Sequence, residues 1–160
     1  MTKYVSYLKD VLNNDYVGVK FTKEESEIKT SILKWMVEFD SIKKVDISEF
    51  VKNKNVRDGD SYHITLFNVM EWNDILKNFS KEYIKNNIFD NTITDIVFKG
   101  IGRANKNGNE VNFIIIESEK LDSIRDKFNL EKKDLHITLG FDKKDVFGVS
   151  KGIDTRYIKL

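Results

Sequence analysis

The tetrapeptide His-Ile-Thr-Leu occurs twice, at residues 63–66 and 136–139, and the two copies contain both histidines of the chain. They begin 73 positions apart in 160 residues, close to the interval that duplication of a half-chain unit would leave. Polar and apolar residues alternate within each copy. That is the pattern of a β-strand with one buried face, because successive side chains point to opposite sides. Ile64 and Leu66 are therefore expected to enter a core while His63 and Thr65 project together on the other face. Ile137 and Leu139 are expected to do the same against His136 and Thr138. The flanks agree, with Ser61-Tyr62 and Asp134-Leu135 before the motifs and Phe67 and Gly140-Phe141 after them.

The rest of the chain reads as helices and strands in a similar order in each half. Tyr4, Leu8 and Leu12 recur at helical spacing and predict a short N-terminal helix. Tyr16 to Phe21 alternates like a strand, and Thr22 with Glu25 forms a capping-box pair opening a helix that carries Ile28, Ile32, Leu33, Trp35 and Met36. Ser41 to Asp60 is polar and has no assignable pattern. Ser61 to Val69 predicts a strand, and Glu71 to Ile88 a helix with Trp72, Ile75, Leu76, Phe79 and Tyr83 on its apolar stripe. Ile93 to Gly100 and Val111 to Ile116 predict strands linked through Asn107-Gly108, a hairpin dipeptide. Gly100-Ile101-Gly102 marks a bend or bulge, because no helix follows to hold a phosphate. A helix capped by Ser118 is expected over Glu119 to Leu130, and a strand over Leu135 to Phe141. Lys143 to Leu160 carries no readable pattern. The prediction is one α+β domain over 1–160. It has two pseudo-symmetric antiparallel β lobes, approximately 16–90 and 91–141, with flanking helices and a central cleft.

Composition narrows the chemistry. Twenty-seven Lys and Arg against 26 Asp and Glu leave a net charge of +1, which excludes a polybasic coat for nucleic acid but allows a local basic pocket. The absence of cysteine excludes disulfides, thiolate nucleophiles and cysteine-based zinc sites. Residues 1–10 lack the apolar core of a signal peptide, and no apolar run approaches the ~20 residues of a membrane span. A cytoplasmic protein is expected.

Two imidazoles and two hydroxyls on matching strands suit the breaking of a phosphoester. With an ordinary pKa of about 6.5, one neutral histidine can take a proton from the nucleophile while the other, as imidazolium, protonates the leaving oxygen. Threonine hydroxyls can donate to nonbridging oxygens as charge builds there. Two histidines do not close a zinc shell, and Asp60, Asp134 and Asp142 stand at no familiar ligand spacing. No metal and no cofactor is therefore expected.

These residues carry a resemblance. The paired His-x-Thr motifs and the elements around them, from Tyr16 to Phe141, resemble the two-histidine (2H) phosphoesterases, which include the LigT-type cyclic phosphodiesterases. The run Gly140 to Val149 is similar to the region after the second motif in the Swiss-army-knife RNA-repair-like subgroup. Phage anti-CBASS nucleases, which cut cyclic nucleotide signals, belong to the same superfamily, and this chain resembles them in size. The resemblance implies His63 and His136 as the acid–base pair and Thr65 and Thr138 as ligands of the scissile phosphate. The implied partner is a cyclic nucleotide or RNA phosphodiester, with no membrane and no obligate protein partner.

Further substrate contacts are expected from Lys20, which is out of phase with Val19 and Phe21, and from Lys143 and Lys144 after the second motif. The competing reading is a solvated lysine in each case. Phe67, in phase with His63 and Thr65, is a stacking platform or a core residue. The rival function is a catalytically idle module of the same fold that binds a nucleotide or a protein. All four intact His and Thr positions count against it.

Overall fold

The computed structural model describes residues 1–42 and 46–160. It is an α+β fold with antiparallel strands, in two compact units that each collect three separated stretches of chain. The first unit takes residues 1–20, 63–97 and 117–133, and the second takes 21–62, 98–116 and 134–160.

In the first unit, β1 (Lys3–Tyr4) pairs antiparallel with β5 (Thr92–Ile93). A separate sheet holds β2 (Ser6–Lys9), β3 (Asp15–Thr22) and β4 (Ser61–Phe67), in that order, with Leu8 opposite Tyr16 and Ser6 opposite Gly18. The predicted N-terminal helix is thus two strands. Of its supposed stripe only Leu8 is buried, while Tyr4 and Leu12 are exposed. The β-forming Tyr4, Val5 and Tyr7 and the ladder offered by β3 outweigh the helical spacing.

The helix expected over Glu71 to Ile88 is broken into three pieces. α3 (Val69–Asn78) opens with a full capping box between Asn68 and Glu71 and buries Trp72 and Ile75. Ser80 caps α4 (Lys81–Ile84), which runs into a wider turn over Lys85–Phe89. Ser118 caps α5 (Glu119–Asp126), as the sequence predicts, and Asp95 accepts from the Ser118 hydroxyl and the Lys120 amide. Two aromatic clusters fill this unit. Tyr7, Trp72 and Phe89 form one; Phe67, Phe79, Tyr83 and Phe128 form the other.

The second unit holds α1 (Ser26–Ile42) and α2 (Ile47–Asp58) and the strands β6 (Val97–Lys106), β7 (Asn109–Glu117), β8 (His136–Phe141) and β9 (Arg156–Ile158). Their order is β8-β7-β6-β9. Residues 43–45, part of the unassigned Ser41–Asp60 segment, lie outside the described residues. The remainder of that segment holds α2, capped by Asp46 and closed at Gly59. Asn107 and Gly108 both take positive φ, as the tight hairpin between β6 and β7 requires. The Gly100-Ile101-Gly102 run carries a register shift where β6 meets β9. Gly140 is a point of close approach, because a Cβ there would stand 2.8 Å from the Phe50 backbone of α2.

Candidate active site

The first motif lies on β4. Tyr62, Ile64 and Leu66 are buried, whereas His63 and Thr65 are only half-buried, as alternation demands. β3 is its neighbour and supplies Tyr16, which was not anticipated as a site residue. The Tyr16 hydroxyl is 3.3 Å from His63 Nε2, and the two rings meet edge to face at 5.6 Å. Gly18 keeps these strands tight, because a Cβ at that position would fall 2.0 Å from the Ile64 carbonyl oxygen.

Beyond Thr65 the strand end is gripped by Arg125, which is almost wholly buried. Its guanidinium donates to the Leu66 carbonyl at 2.7 Å, to both Glu71 carboxylate oxygens at 3.1 and 2.8 Å, and to the Glu131 carbonyl at 2.7 Å. Burial would raise the Glu71 carboxyl, but the Arg125 hydrogen bonds and charge hold it below the usual carboxylate range. Phe67 is wholly buried, with its ring against Phe128 and 5.9 Å below the Arg125 guanidinium. It is a core residue, and a ring with no exposed face presents nothing to a base. The in-phase spacing that suggested stacking is overridden where β4 dives under α5.

The second motif opens β8. His136 is half-buried and Thr138 is 7% exposed. The pairing with β7 sets Ile115 opposite His136 and Phe113 opposite Thr138, then steps to Asn112 opposite Gly140. Leu139 is the extra residue of a bulge, so the even alternation read from the sequence ends at Thr138. His136 Nδ1 lies 2.7 Å from the Asp134 carbonyl oxygen, and the Phe113 ring meets the imidazole edge to face at 5.6 Å. Asp134, weighed as a metal ligand, is used otherwise. Its carbonyl orients His136 and its carboxylate accepts from the Lys151 amide.

The segment after β8, which the sequence left unplaced, builds the other side of this motif. Lys151 is buried, its ammonium 6.0 Å from the Phe113 ring centre and 3.1 Å from Asp145. Asp145 also accepts from Arg57 at 2.6 Å, and Arg57 binds Asp58. Burial would raise the Asp145 carboxyl, but the Lys151 charge and the Arg57 hydrogen bond hold it below its ordinary value. Further along α2, Lys54 donates to the carbonyls of Gly59 and Ser61 and lies over the Tyr62 ring. Burial pushes this ammonium down to about 8.

Both motifs thus keep their imidazoles half-buried, each with a hydrogen-bond partner and an aromatic edge. A family model described as Swiss Army Knife, 2H phosphoesterase domain matches residues 28–147, a span that contains both of them. The chain belongs to the 2H phosphoesterase superfamily. Membership gives the domain phosphodiesterase-type activity in general. No curated protein and no solved structure matches it.

Within this 2H phosphoesterase domain the remaining candidates fall as follows. Lys20 is exposed at the end of the first unit's β3 segment, and its carbonyl accepts from Lys3. Lys143 and Lys144 are exposed after β8, with Lys143 at φ 58°. Among the described residues no helix is long and apolar enough to cross a membrane. Sequence reading missed Tyr16, Arg125 and Lys151 as supports of the motifs. Tyr16 alone carried a signal, since it stands out of phase with the buried Val17, Val19 and Phe21.

Proposed function

We propose that this domain is a metal-independent phosphodiesterase acting on RNA ends or cyclic (oligo)nucleotides, with His63 and His136 as its acid–base pair. The duplicated His-x-Thr motif, complete at all four positions in a 2H phosphoesterase, carries the reading. One imidazole removes the proton from the attacking oxygen as that oxygen bonds to phosphorus. The other protonates the oxygen that leaves. Thr65 and Thr138 donate to the nonbridging oxygens as they gain charge. The attacking oxygen is water opening a 2′,3′-cyclic phosphate, or a ribose 2′-hydroxyl attacking the adjacent 3′,5′ linkage. Exposed Lys20, Lys143 and Lys144 supply positive charge for one or two phosphates.

The experiment is product analysis by mass spectrometry on linear RNA with 2′,3′-cyclic ends and on cyclic mono-, di- and trinucleotides, in excess chelator. Cleavage is expected there. It should fall by about 10³-fold in His63→Ala and in His136→Ala with circular dichroism unchanged. Near-normal turnover by either variant, or activity lost to chelator and restored by a divalent ion, refutes the proposal. The product separates the two nucleophiles, since water leaves a phosphomonoester and 2′-hydroxyl attack leaves a 2′,3′-cyclic phosphate. Cleavage of matched deoxyribose substrates refutes both routes, because neither works without the 2′-oxygen.

A further inference from the structure

The two histidines are tethered through different ring nitrogens. His136 is held at Nδ1 by a backbone carbonyl oxygen 2.7 Å away. A carbonyl only accepts, so Nδ1 of His136 carries a hydrogen and, in the neutral ring, Nε2 holds the lone pair. His63 is held at Nε2, and its partner there is the hydroxyl of Tyr16 at 3.3 Å, a group that both donates and accepts. The direction of that bond decides which tautomer the ring adopts. If the hydroxyl donates, Nε2 keeps its lone pair and the hydrogen sits on Nδ1. If it accepts, the ring is reversed and Nε2 has no pair with which to take a proton.

Tyr16 is built to hold that geometry. It is half-buried, paired to Leu8 across β2, and two residues from Gly18, whose backbone presses on Ile64 beside His63. Its ring also braces the imidazole edge to face at an interplanar angle of 69°. Position and rotation of the imidazole are therefore both constrained from one side chain. Nε2 is also the ring nitrogen farther from the backbone, the one that reaches outward to a substrate.

We infer that Tyr16 is the positioning residue of His63, donating its hydroxyl hydrogen to Nε2 and holding the ring as the Nδ1–H tautomer. Both histidines then present the same nitrogen, each with its hydrogen on Nδ1. The incoming hydroxyl or water takes the place of the tyrosine oxygen at Nε2 and passes its proton to that lone pair, giving an imidazolium that retains Nδ1–H. The inference rests on the function proposed above for the catalytic part of this role, but the tautomer is a property of the protein without substrate.

The test is long-range proton–nitrogen correlation of the histidine rings in nitrogen-15-labelled protein, about two pH units above the ordinary histidine pKa. Two histidines give two ring patterns, assigned with His63→Ala. The expected result is protonated Nδ1 and unprotonated Nε2 on His63 in the wild type. Tyr16→Phe, which keeps the ring and removes only the hydroxyl, should move His63 toward the Nε2–H tautomer and leave His136 unchanged. With a cleaved substrate in hand, kcat/KM of Tyr16→Phe should fall in proportion to the share of His63 that has left the Nδ1–H tautomer. An Nε2–H tautomer on wild-type His63, or a ring pattern that ignores Tyr16→Phe, overturns the inference. A shifted tautomer with unchanged kcat/KM overturns its catalytic part. The spectra need no turnover, so failure to find a phosphodiester substrate counts against the proposed function and not against the tautomer.

Discussion

Replacing Arg125 by methionine should destabilise the protein by roughly 3–5 kcal/mol, the range for breaking one side of a buried ion pair. Methionine matches much of the arginine stem, so little packing is lost and the cost comes from the groups left behind. These are the Leu66 and Glu131 carbonyls and the Glu71 carboxylate, all served by one guanidinium whose side chain is 5% exposed. The buried Leu66 carbonyl, stranded away from water, costs about 1–3 kcal/mol before relaxation. A deficit of this size is a large part of the 5–15 kcal/mol that holds a typical domain folded. Urea unfolding followed by tryptophan fluorescence is the assay, and Trp72 in the first unit and Trp35 in the second give a reporter to each. The pH dependence adds a second arm. The folded Glu71 carboxyl lies below its ordinary 4.5, so its stabilisation is present above that value and is lost as pH falls through the lowered one. The gap between wild type and Arg125→Met should therefore narrow in acid. A loss below about 1 kcal/mol at neutral pH, or a gap that does not change on acidification, refutes the clamp.

Lys54 predicts a pH effect of the same sign in a more alkaline window. Its folded pKa, about 8, lies below the ordinary 10.5, so the unfolded chain binds more protons between those values and the wild type gains stability as pH rises. Measured against Lys54→Met, that gain should approach 3 kcal/mol between pH 7 and pH 10.5, and a flat difference would show that the ammonium is well solvated. Thr65→Ala and Thr138→Ala should each lower kcat by on the order of 10²-fold, less than either histidine variant. Single-turnover rates equal to wild type would remove the hydroxyls from the reaction.

Much of this architecture was legible because half-buried strands write their burial into the sequence. The two motif strands, β3, the Asn107-Gly108 hairpin and the Ser118-capped helix all follow from residues close together in the chain. The failures have physical causes. α2 escaped because its buried positions are Phe50 and Lys54, one turn apart, and a lysine in a core position breaks any count of apolar periodicity. The Glu71–Ile88 stripe ran on through a break that Ser80, a cap residue, marks. The segment from Lys143 onward is fixed by ion pairs to Arg57, 88 positions before Asp145, and no local pattern encodes such a partner. The site divides the same way. His63, Thr65, His136 and Thr138 announce themselves by repetition, while Tyr16 reaches His63 across 47 positions and is visible only once β3 and β4 lie side by side.

Gly18 and Gly140 have a consequence for how this sequence can drift. Each stands where another stretch of backbone leaves no room for a methyl group, one against the strand of the first histidine and one against the helix behind the second. Neither offers a functional group to a substrate. In a survey of tolerated substitutions both positions would nevertheless score like catalytic ones, since any side chain there displaces a motif strand. Invariance in a lineage of such proteins would then mark side-chain groups and backbone clearance alike, and these two glycines would be fixed with no side chain to donate or accept.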